Sequence, residues 1–202
     1  YGGGLIGTEG GRDVHLIKLD PDLQHVWSMD IGGGDEHNLR ALALDGEGNV
    51  IIAGMFRGAV SIGGQELAGN GDGSQDIFIA KITGDQQVAW ARSWTGNNDA
   101  SPRSVAVGSD GGVVVAGGFV DTLDLGDGTT LTSAGDRDIF VGKLGGDGNV
   151  LWAQRFGDPF YQEAFGVAMS GGGDVALTGI AWGTLDLGVP SPVATSSAAH
   201  RT

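Results

Sequence analysis

Few side chains with catalytic potential lie close together in this sequence. An acid beside an imidazole can transfer protons, and Glu36-His37 is the one adjacent pair of that kind. The other histidines, at positions 15, 25 and 200, form no H-E-x-x-H spacing with it, and there is no G-x-S-x-G motif. The chain has no cysteine, which excludes disulfides, thiolate metal sites and cysteine nucleophiles. The sequence therefore predicts no catalytic residue.

Residues suited to ligand binding occur in three polar segments, 32–40, 95–103 and 157–166, that differ from one another. Binding residues are commonly built on variable loops carried by a regular scaffold. Arg40 and Arg103 occupy matching positions in the first two segments. The third contains Phe160, Tyr161 and Gln162, an aromatic and amide cluster. We predict a binding face there that includes Arg40, Arg103 and Tyr161.

Acidic, glycine-rich turns at Gly69–Asp76, Asp121–Asp127 and Asp136–Asp138 are the candidates for a calcium site. Calcium needs six to eight oxygen ligands, and none of these turns has the D-x-[DN]-x-[DN]-G pattern with its distal Glu. Asp and Gly are also what β-turns require, so we predict no cofactor, with calcium as the alternative. Gly2-x-Gly4-x-x-Gly7 matches a dinucleotide-binding fingerprint in letters, but without a strand before it or a helix after it we interpret it as a loop.

These residues are positioned by a motif that occurs three times. Asp138-Ile-Phe-Val-Gly-Lys-Leu144 is followed by Trp152, and copies begin at Asp76 and Asp13, so the copies are 62 and 63 residues apart. A packing need recurs in every repeat, whereas a ligand site usually does not, so we predict that the repeated aromatic residues fill the interior; a sugar-stacking surface is the alternative. We also predict that the repeated lysines pair with the repeated aspartates. The aromatic residues are Trp27, Phe78, Trp90, Phe140 and Trp152, the lysines are Lys18, Lys81 and Lys143, and the aspartates are Asp13, Asp76 and Asp138.

Each repeat contains four short apolar stretches separated by Gly, Asp and Asn turns, with no helical periodicity. This pattern predicts an all-β fold, a β-propeller segment of about three four-stranded blades, over β-sandwich as the alternative. The repeats span approximately 13–75, 76–137 and 138–199 within one domain, 1–202. The strands are expected at 13–19, 26–31, 39–44, 50–56, 59–62, 76–82, 88–94, 103–108, 113–119, 122–125, 138–144, 150–156, 165–169, 175–180 and 184–187.

The motif resembles the bacterial SBBP repeat, named for seven-bladed β-propellers. Asp138, Phe140, Lys143, Asp147-Gly148 and Trp152 carry the resemblance, which covers nearly the whole chain as about three repeats. The first copy departs from it, with His15 in place of Phe. The resemblance implies a secreted or cell-surface bacterial protein, and it transfers no catalytic residue because the family has none established.

Propellers close with typically four to eight blades, so three repeats predict an incomplete ring, a fragment of a larger propeller. The remaining blades, or self-association through the open edges, would then cover its ends. A net charge of −14 opposes nucleic-acid binding, and no apolar stretch is long enough to span a membrane as a helix. We expect a non-enzymatic scaffold or interaction module with a protein or glycan ligand. The alternative is a glycan-binding or carbohydrate-active propeller enzyme whose site lies partly outside this segment.

Overall fold

The computed structural model describes residues 14–33, 36–185, 187 and 193–194. The segment 1–12, Asp13, His200 and the Ser/Pro/Ala-rich segment 189–199, apart from 193–194, lie outside the described residues. The described chain is made of strands and contains no helix, as predicted. The strands are β1 (Val14–Leu19), β2 (His25–Gly32), β3 (His37–Leu44), β4 (Val50–Phe56), β5 (Ala59–Ile62), β6 (Gln65–Ala68), β7 (Asp76–Ile82), β8 (Val88–Gly96), β9 (Ala100–Val107), β10 (Val113–Phe119), β11 (Thr122–Asp124), β12 (Thr130–Thr132), β13 (Asp138–Leu144), β14 (Val150–Phe156), β15 (Gln162–Met169), β16 (Val175–Ala181), β17 (Thr184–Leu185) and β18 (Val193–Ala194).

The strands form antiparallel sheets, and the two central sheets each combine strands from two successive repeats. Sheet I has the order β1-β2-β5-β6, sheet II the order β12-β11-β8-β7-β4-β3, sheet III the order β14-β13-β10-β9, and sheet IV is the pair β15-β16. In sheet III, β9 and β10 of the second repeat join β13 and β14, the motif hairpin of the third, and Gly117 of β10 lies opposite Phe140 of β13. The motif hairpin is therefore the outer half of a sheet that the preceding repeat begins. None of the sheets closes on itself.

Short strands extend the sheets at their outer edges. β5 follows β4 of sheet II in the chain but pairs with β2 of sheet I. In the same way, β11 follows β10 of sheet III but pairs with β8 of sheet II. β6 and β12 were not predicted, because they are short and only one residue of each, Leu67 and Leu131, is partly buried and packs on a core. The extension at 184–187 is shorter than predicted, since β17 comprises Thr184–Leu185 and pairs with β18.

Three apolar cores lie between neighbouring sheets. The core between sheets I and II contains Phe78 and Trp27, and the core between sheets II and III contains Phe140 and Trp90. A smaller core joins sheets III and IV. Both faces of β4, β7, β10 and β13 are covered, which explains their near-continuous apolar sequences.

The predicted interior role of the repeated aromatic residues is confirmed for four of the five. Phe78 and Phe140 have no exposed surface, and Trp27 and Trp90 are each 6% exposed. The indole Nε1 atoms of both tryptophans donate to carbonyls of the next sheet, of Gly84 and Gly146, each at 2.9 Å. Trp152 is 41% exposed. The repeated tryptophan is therefore an inter-sheet anchor where a following sheet covers it.

The predicted pairing of the repeated lysines with the repeated aspartates is wrong for Lys81 and Lys143, while Asp13, the predicted partner of Lys18, lies outside the described residues. Lys81 lies 3.0 Å from Asp45 and Lys143 lies 3.7 Å from Asp110, both in turns, while Lys18 donates to the carbonyl of Gly48 at 2.7 Å. Lys81 follows Asp76, and Lys143 follows Asp138, by five residues on one extended strand. That spacing separates the two Cα atoms by roughly 16 Å and directs the side chains to opposite faces.

Three strands begin earlier than predicted, at His37, Ala100 and Gln162 instead of 39, 103 and 165. Each contains a β-bulge, between Leu39 and Ala41, between Pro102 and Ser104, and between Ala164 and Gly166. A bulge inserts one extra residue and shifts the alternation of inward and outward side chains. The polar residues before each bulge therefore belong to the strand, although their pattern had indicated a loop.

Candidate functional site

The bulges determine where two of the predicted binding residues lie. Arg40 and Arg103 are the bulged residues of β3 and β9, and Phe165 is the bulged residue of β15. Strands β3, β9 and β15 are neighbours in space, each at the edge of its own sheet. The three bulged residues therefore occupy equivalent positions along three neighbouring strands, one in each of sheets II, III and IV.

The structure brings Arg103 and Tyr161 together through a residue that the sequence did not single out, Glu163. Arg103 Nε donates to Glu163 Oε1 at 2.9 Å, and Arg103 Nη2 forms an ion pair with the same oxygen, also at 2.9 Å. The hydroxyl of Tyr161 donates to Glu163 Oε2 at 2.6 Å. Arg137 Nη1 lies 3.6 Å from Oε1 and donates to the carbonyl of Gly118 at 2.8 Å. These four side chains, Arg103, Arg137, Tyr161 and Glu163, are called the Glu163 cluster.

The Glu163 cluster is an ion-paired link between sheets III and IV. Glu163 is 2% exposed, and a buried carboxylate is stable only when opposite charges and hydrogen bonds compensate for lost hydration. Burial and the hydrogen bond to Glu163 raise the pKa of Tyr161 above its usual 10, so the phenol stays protonated as a donor. Both carboxylate oxygens of Glu163 are already in use. The cluster is therefore suited to holding two sheets in register more than to proton transfer.

Exposed aromatic rings lie beside this cluster. The ring of Tyr161 lies 5.8 Å from that of Trp182, centroid to centroid. Trp182 is 65% exposed and Phe160 is 59% exposed. Sequence reasoning missed Trp182, although Val120 stands 62 residues earlier, so the departure from the repeat was a usable signal. We call Phe160, Tyr161 and Trp182 the aromatic rim.

Arg40 does not join the Glu163 cluster. It is exposed, and it forms no hydrogen bond or ion pair with the described residues. The position equivalent to Glu163 next to β3 is Ser101 on β9, which is 5% exposed and has a hydroxyl without a partner among those residues. The matching arginines are thus equivalent in backbone position but different in environment, because the acid occurs in one repeat only.

Glu36 and His37 do not form an acid–imidazole pair. His37 is buried, and its Nε2 lies 3.1 Å from the carbonyl of Ala59. Glu36 is exposed and lines a shallow surface pocket with Arg57. Gln162, the third residue of the predicted aromatic and amide cluster, is fully buried and donates to Asp158 and to the carbonyl of Trp182. Its role is to fix the corner before β15.

The candidate calcium turns are organised by their own hydrogen bonds. Asp76 accepts from the backbone N–H of Gly96 at 3.0 Å and of Asn70 at 3.1 Å, and burial raises the pKa of its carboxyl. Asp124 and Asp127 each accept from a backbone N–H two residues on. Such contacts are the usual turn chemistry of aspartate. No group of three or more His, Cys, Asp or Glu side chains within the described ranges is placed to hold a metal ion.

Comparison with models of known protein families finds no match for this chain. The chain is similar to a curated protein, Regulatory protein FlaEY of Caulobacter vibrioides, with 25% identity over 155 residues. The match covers 74% of this chain and 16% of that protein. The described part of the chain contains no helix that is both long and apolar enough to cross a membrane.

Proposed function

We propose that sheets I to IV are successive blades of a β-propeller of the SBBP type, and that the segment is a non-enzymatic scaffold that binds a protein or glycan partner. The stack of similar sheets, with β3, β9 and β15 side by side at their inner edges, supports the propeller arrangement. The resemblance of the motif to SBBP repeats adds a location in a secreted or cell-surface protein to this proposal.

One observation carries the scaffold role: the side chains with chemical potential are engaged in contacts that join sheets or close turns. Glu163 links sheets III and IV through Arg103, and His37 is held by a carbonyl of β5. The similarity to a protein named as regulatory also favours an interaction role over catalysis. Calcium stays an alternative for the acidic turns.

The aromatic rim favours a glycan as one class of partner. Trp182 and Phe160 present exposed ring surface, and Trp182 packs against the ring of Tyr161, whose hydroxyl donates to Glu163. Sugars stack their apolar faces on such rings, and aromatic residues with a polar neighbour are frequent at binding sites. We therefore propose the aromatic rim as the binding surface in the glycan-binding alternative.

A glycan array combined with a panel of glycoside hydrolase substrates tests the proposal. We expect no turnover of any substrate. If a glycan is bound, Trp182→Ala is expected to weaken binding by about 30-fold, the effect of an aromatic hot spot of about 2 kcal/mol. Leu42→Ala, at an exposed leucine on β3, is the matched control and should leave binding unchanged. Turnover that Glu163→Gln abolishes would overturn the scaffold role in favour of a carbohydrate-active enzyme.

A further inference from the structure

A cavity of about 460 Å³ opens beside β16, between sheets III and IV. Its walls are mainly apolar, and Leu177, Ile180 and Leu187 in them are 39–40% exposed. Within the described residues β15 is the one strand paired with β16, so the other edge of β16 carries unpaired backbone groups. An apolar cavity next to an unpaired strand edge has the features of a strand-docking surface. We call it the Gly179 cavity, after the glycine in its wall.

The walls of the Gly179 cavity repeat the surroundings of Phe140. Moving back 62 residues along the sequence converts six of the ten wall residues into Gly117, which lies opposite Phe140, and five residues of the core that contains Phe140. The six wall residues in question are Ile139, Phe156, Gly179, Ala181, Leu185 and Leu187, and their counterparts in the same order are Ile77, Trp94, Gly117, Phe119, Leu123 and Leu125.

Phe140 occupies the centre of that earlier set. Its ring centroid is 5.9 Å from that of Trp94 and 6.4 Å from that of Phe119, both edge-on. It lies opposite Gly117 in the strand register, and a Cβ on Gly117 would come within 3.0 Å of its ring. Phe78 lies opposite Gly54 in the same way one repeat earlier. In two repeats, then, a glycine leaves room for the phenylalanine of the next motif strand.

The residues around Phe140 and their counterparts in the walls of the Gly179 cavity differ in burial. Trp94 and Leu123 are fully buried around Phe140, and Leu125 is 3% exposed. Their counterparts Phe156 and Leu185 are half-buried, and Leu187 is 39% exposed. The Gly179 cavity thus has the walls of a phenylalanine pocket without the phenylalanine.

We infer that the free edge of β16 and the Gly179 cavity bind an extended strand with the motif pattern, supplied by a further repeat of this type. This inference rests on the proposed succession of blades. The register of β10 on β13 gives the placement: the initial acid lies opposite Ala181, the aromatic residue at position three opposite Gly179, and the aliphatic residue at position seven opposite Val175. The strand adds backbone hydrogen bonds, and its aromatic ring fills the cavity.

The motif strand of a second copy, β1, is a poorer occupant. It has His15 at the aromatic position, and the Nδ1 atom of His15 lies 2.5 Å from Asp30 Oδ1 within its own sheet. Moving that imidazole into an apolar cavity would break this contact and bury a polar ring without a partner. A strand with Phe at position three fits the walls as Phe140 does.

A synthetic hairpin peptide with the sequence of residues 136–157, which includes β13 and β14, tests the inference on the chain as it stands. We expect saturable 1:1 binding by calorimetry. Hydrogen exchange should show new protection at 175–181 and none in β1. The peptide with Phe140→Ala is expected to bind at least about tenfold more weakly, because it leaves the cavity empty.

Two single substitutions in β14 of the chain, one in the cavity wall and one at an exposed residue, provide a matched pair of test and control. Phe156→Ala removes a wall of the cavity and should weaken binding of the peptide by about fivefold or more, whereas Leu151→Ala, an exposed residue of β14, should not change it. Equal affinity for the two peptides, or protection outside 175–181, would overturn the inference. A homodimer that the peptide cannot displace and that His15→Ala disrupts would identify β1 of a second copy as the occupant and overturn it as well. None of these outcomes depends on the glycan and hydrolase assays, so the two proposals fail separately.

Discussion

The interface between sheets II and III and the interface between sheets III and IV are built from equivalent residues and differ in what fills them. Between sheets II and III, Phe140 is enclosed by Trp94, Phe119 and Leu123. Between sheets III and IV, the equivalent walls surround the Gly179 cavity. The first interface is held by apolar packing, and the second is held in part by the buried ion pairs of the Glu163 cluster.

This difference shows that a repeat does not complete an interface by itself. In sheets II and III a strand pair of one repeat joins the motif hairpin of the next, and each core contains side chains from at least two repeats. The residues of β16 are apolar like those of β10, yet β10 is entirely buried and β16 is mostly exposed. The sequence of a strand indicates what it can bury, and its neighbours determine what it does bury.

The largest expected contrast is between Trp94→Ala and Phe156→Ala, which truncate equivalent residues. Trp94 is fully enclosed, so its loss should lower the free energy of unfolding by about 3–5 kcal/mol. Phe156 borders the cavity and is half-buried, so we expect a loss of about 1–2 kcal/mol. Urea unfolding followed by circular dichroism measures both. Equal losses would mean that the two interfaces are packed alike, contrary to the comparison.

In the second contrast the larger loss of stability is expected at the interface between sheets III and IV, because the stronger contact lies there. Arg103→Ala removes the hydrogen bond and the ion pair to the buried Glu163 and should cost about 1.5–3 kcal/mol. Arg40→Ala, at the equivalent bulge beside Ser101, should change stability by about 0.5 kcal/mol or less. The same denaturation assay applies. Glu163→Gln should reduce the effect of Arg103→Ala if the ion pair is its cause, and an undiminished effect would point to packing of the arginine stem instead.

The smallest expected effect concerns pH and compares turns of the two central sheets. Burial alone would raise the pKa of Asp45, but hydrogen bonds from Asn49, Lys81 and the turn backbone lower it to about 2, below its ordinary 3.8. A lowered folded-state pKa means that the stabilisation is present above about pH 4 and is lost as the pH falls towards 2. In the Asp45→Asn variant the melting temperature should therefore fall less than in the unmodified chain as the pH is lowered through this window. Asp110→Asn should reduce this fall less, because Asp110 is exposed and lies 3.7 Å from Lys143. Parallel curves for both variants and the unmodified chain would contradict this assignment.

Much of the fold followed from local patterns. Alternating and continuous apolar stretches predicted most of the longer strands to within a few residues, because burial on one or both faces of a sheet leaves a direct imprint on the sequence. The constant spacing of Trp27 and Trp90 from their motif strands predicted an interior role, and both are buried. The pairing of Lys81 with Asp45 was missed, because it joins a motif strand to the turn of a different hairpin.

The candidate site was predictable only in part. Arg103 and Tyr161 were singled out, but Glu163 was missed, since an isolated acid in a polar segment gives no sign that it is buried. The bulges that contain Arg103 and Arg40 depend on the pairing of two strands and have no local signature beyond the glycine opposite them. Arg40 lies outside the Glu163 cluster because Ser101 stands at the position of Glu163, and a binding face that includes Arg40 stays a prediction.

The sequence by itself determined the strand content, the repeat length and the positions of the turns, because each follows from contacts among residues close in the chain. It also encoded glycines at 54 and 117, which lie opposite the motif phenylalanines Phe78 and Phe140, and a glycine at the equivalent position 179. Tertiary structure alone decided which strands share a sheet, which acid meets Arg103, and that Gly179 borders an open cavity while Gly117 faces a ring. These outcomes depend on residues about 20 to 60 positions apart, and strand pairing over such separations leaves no periodic mark in the sequence of either strand.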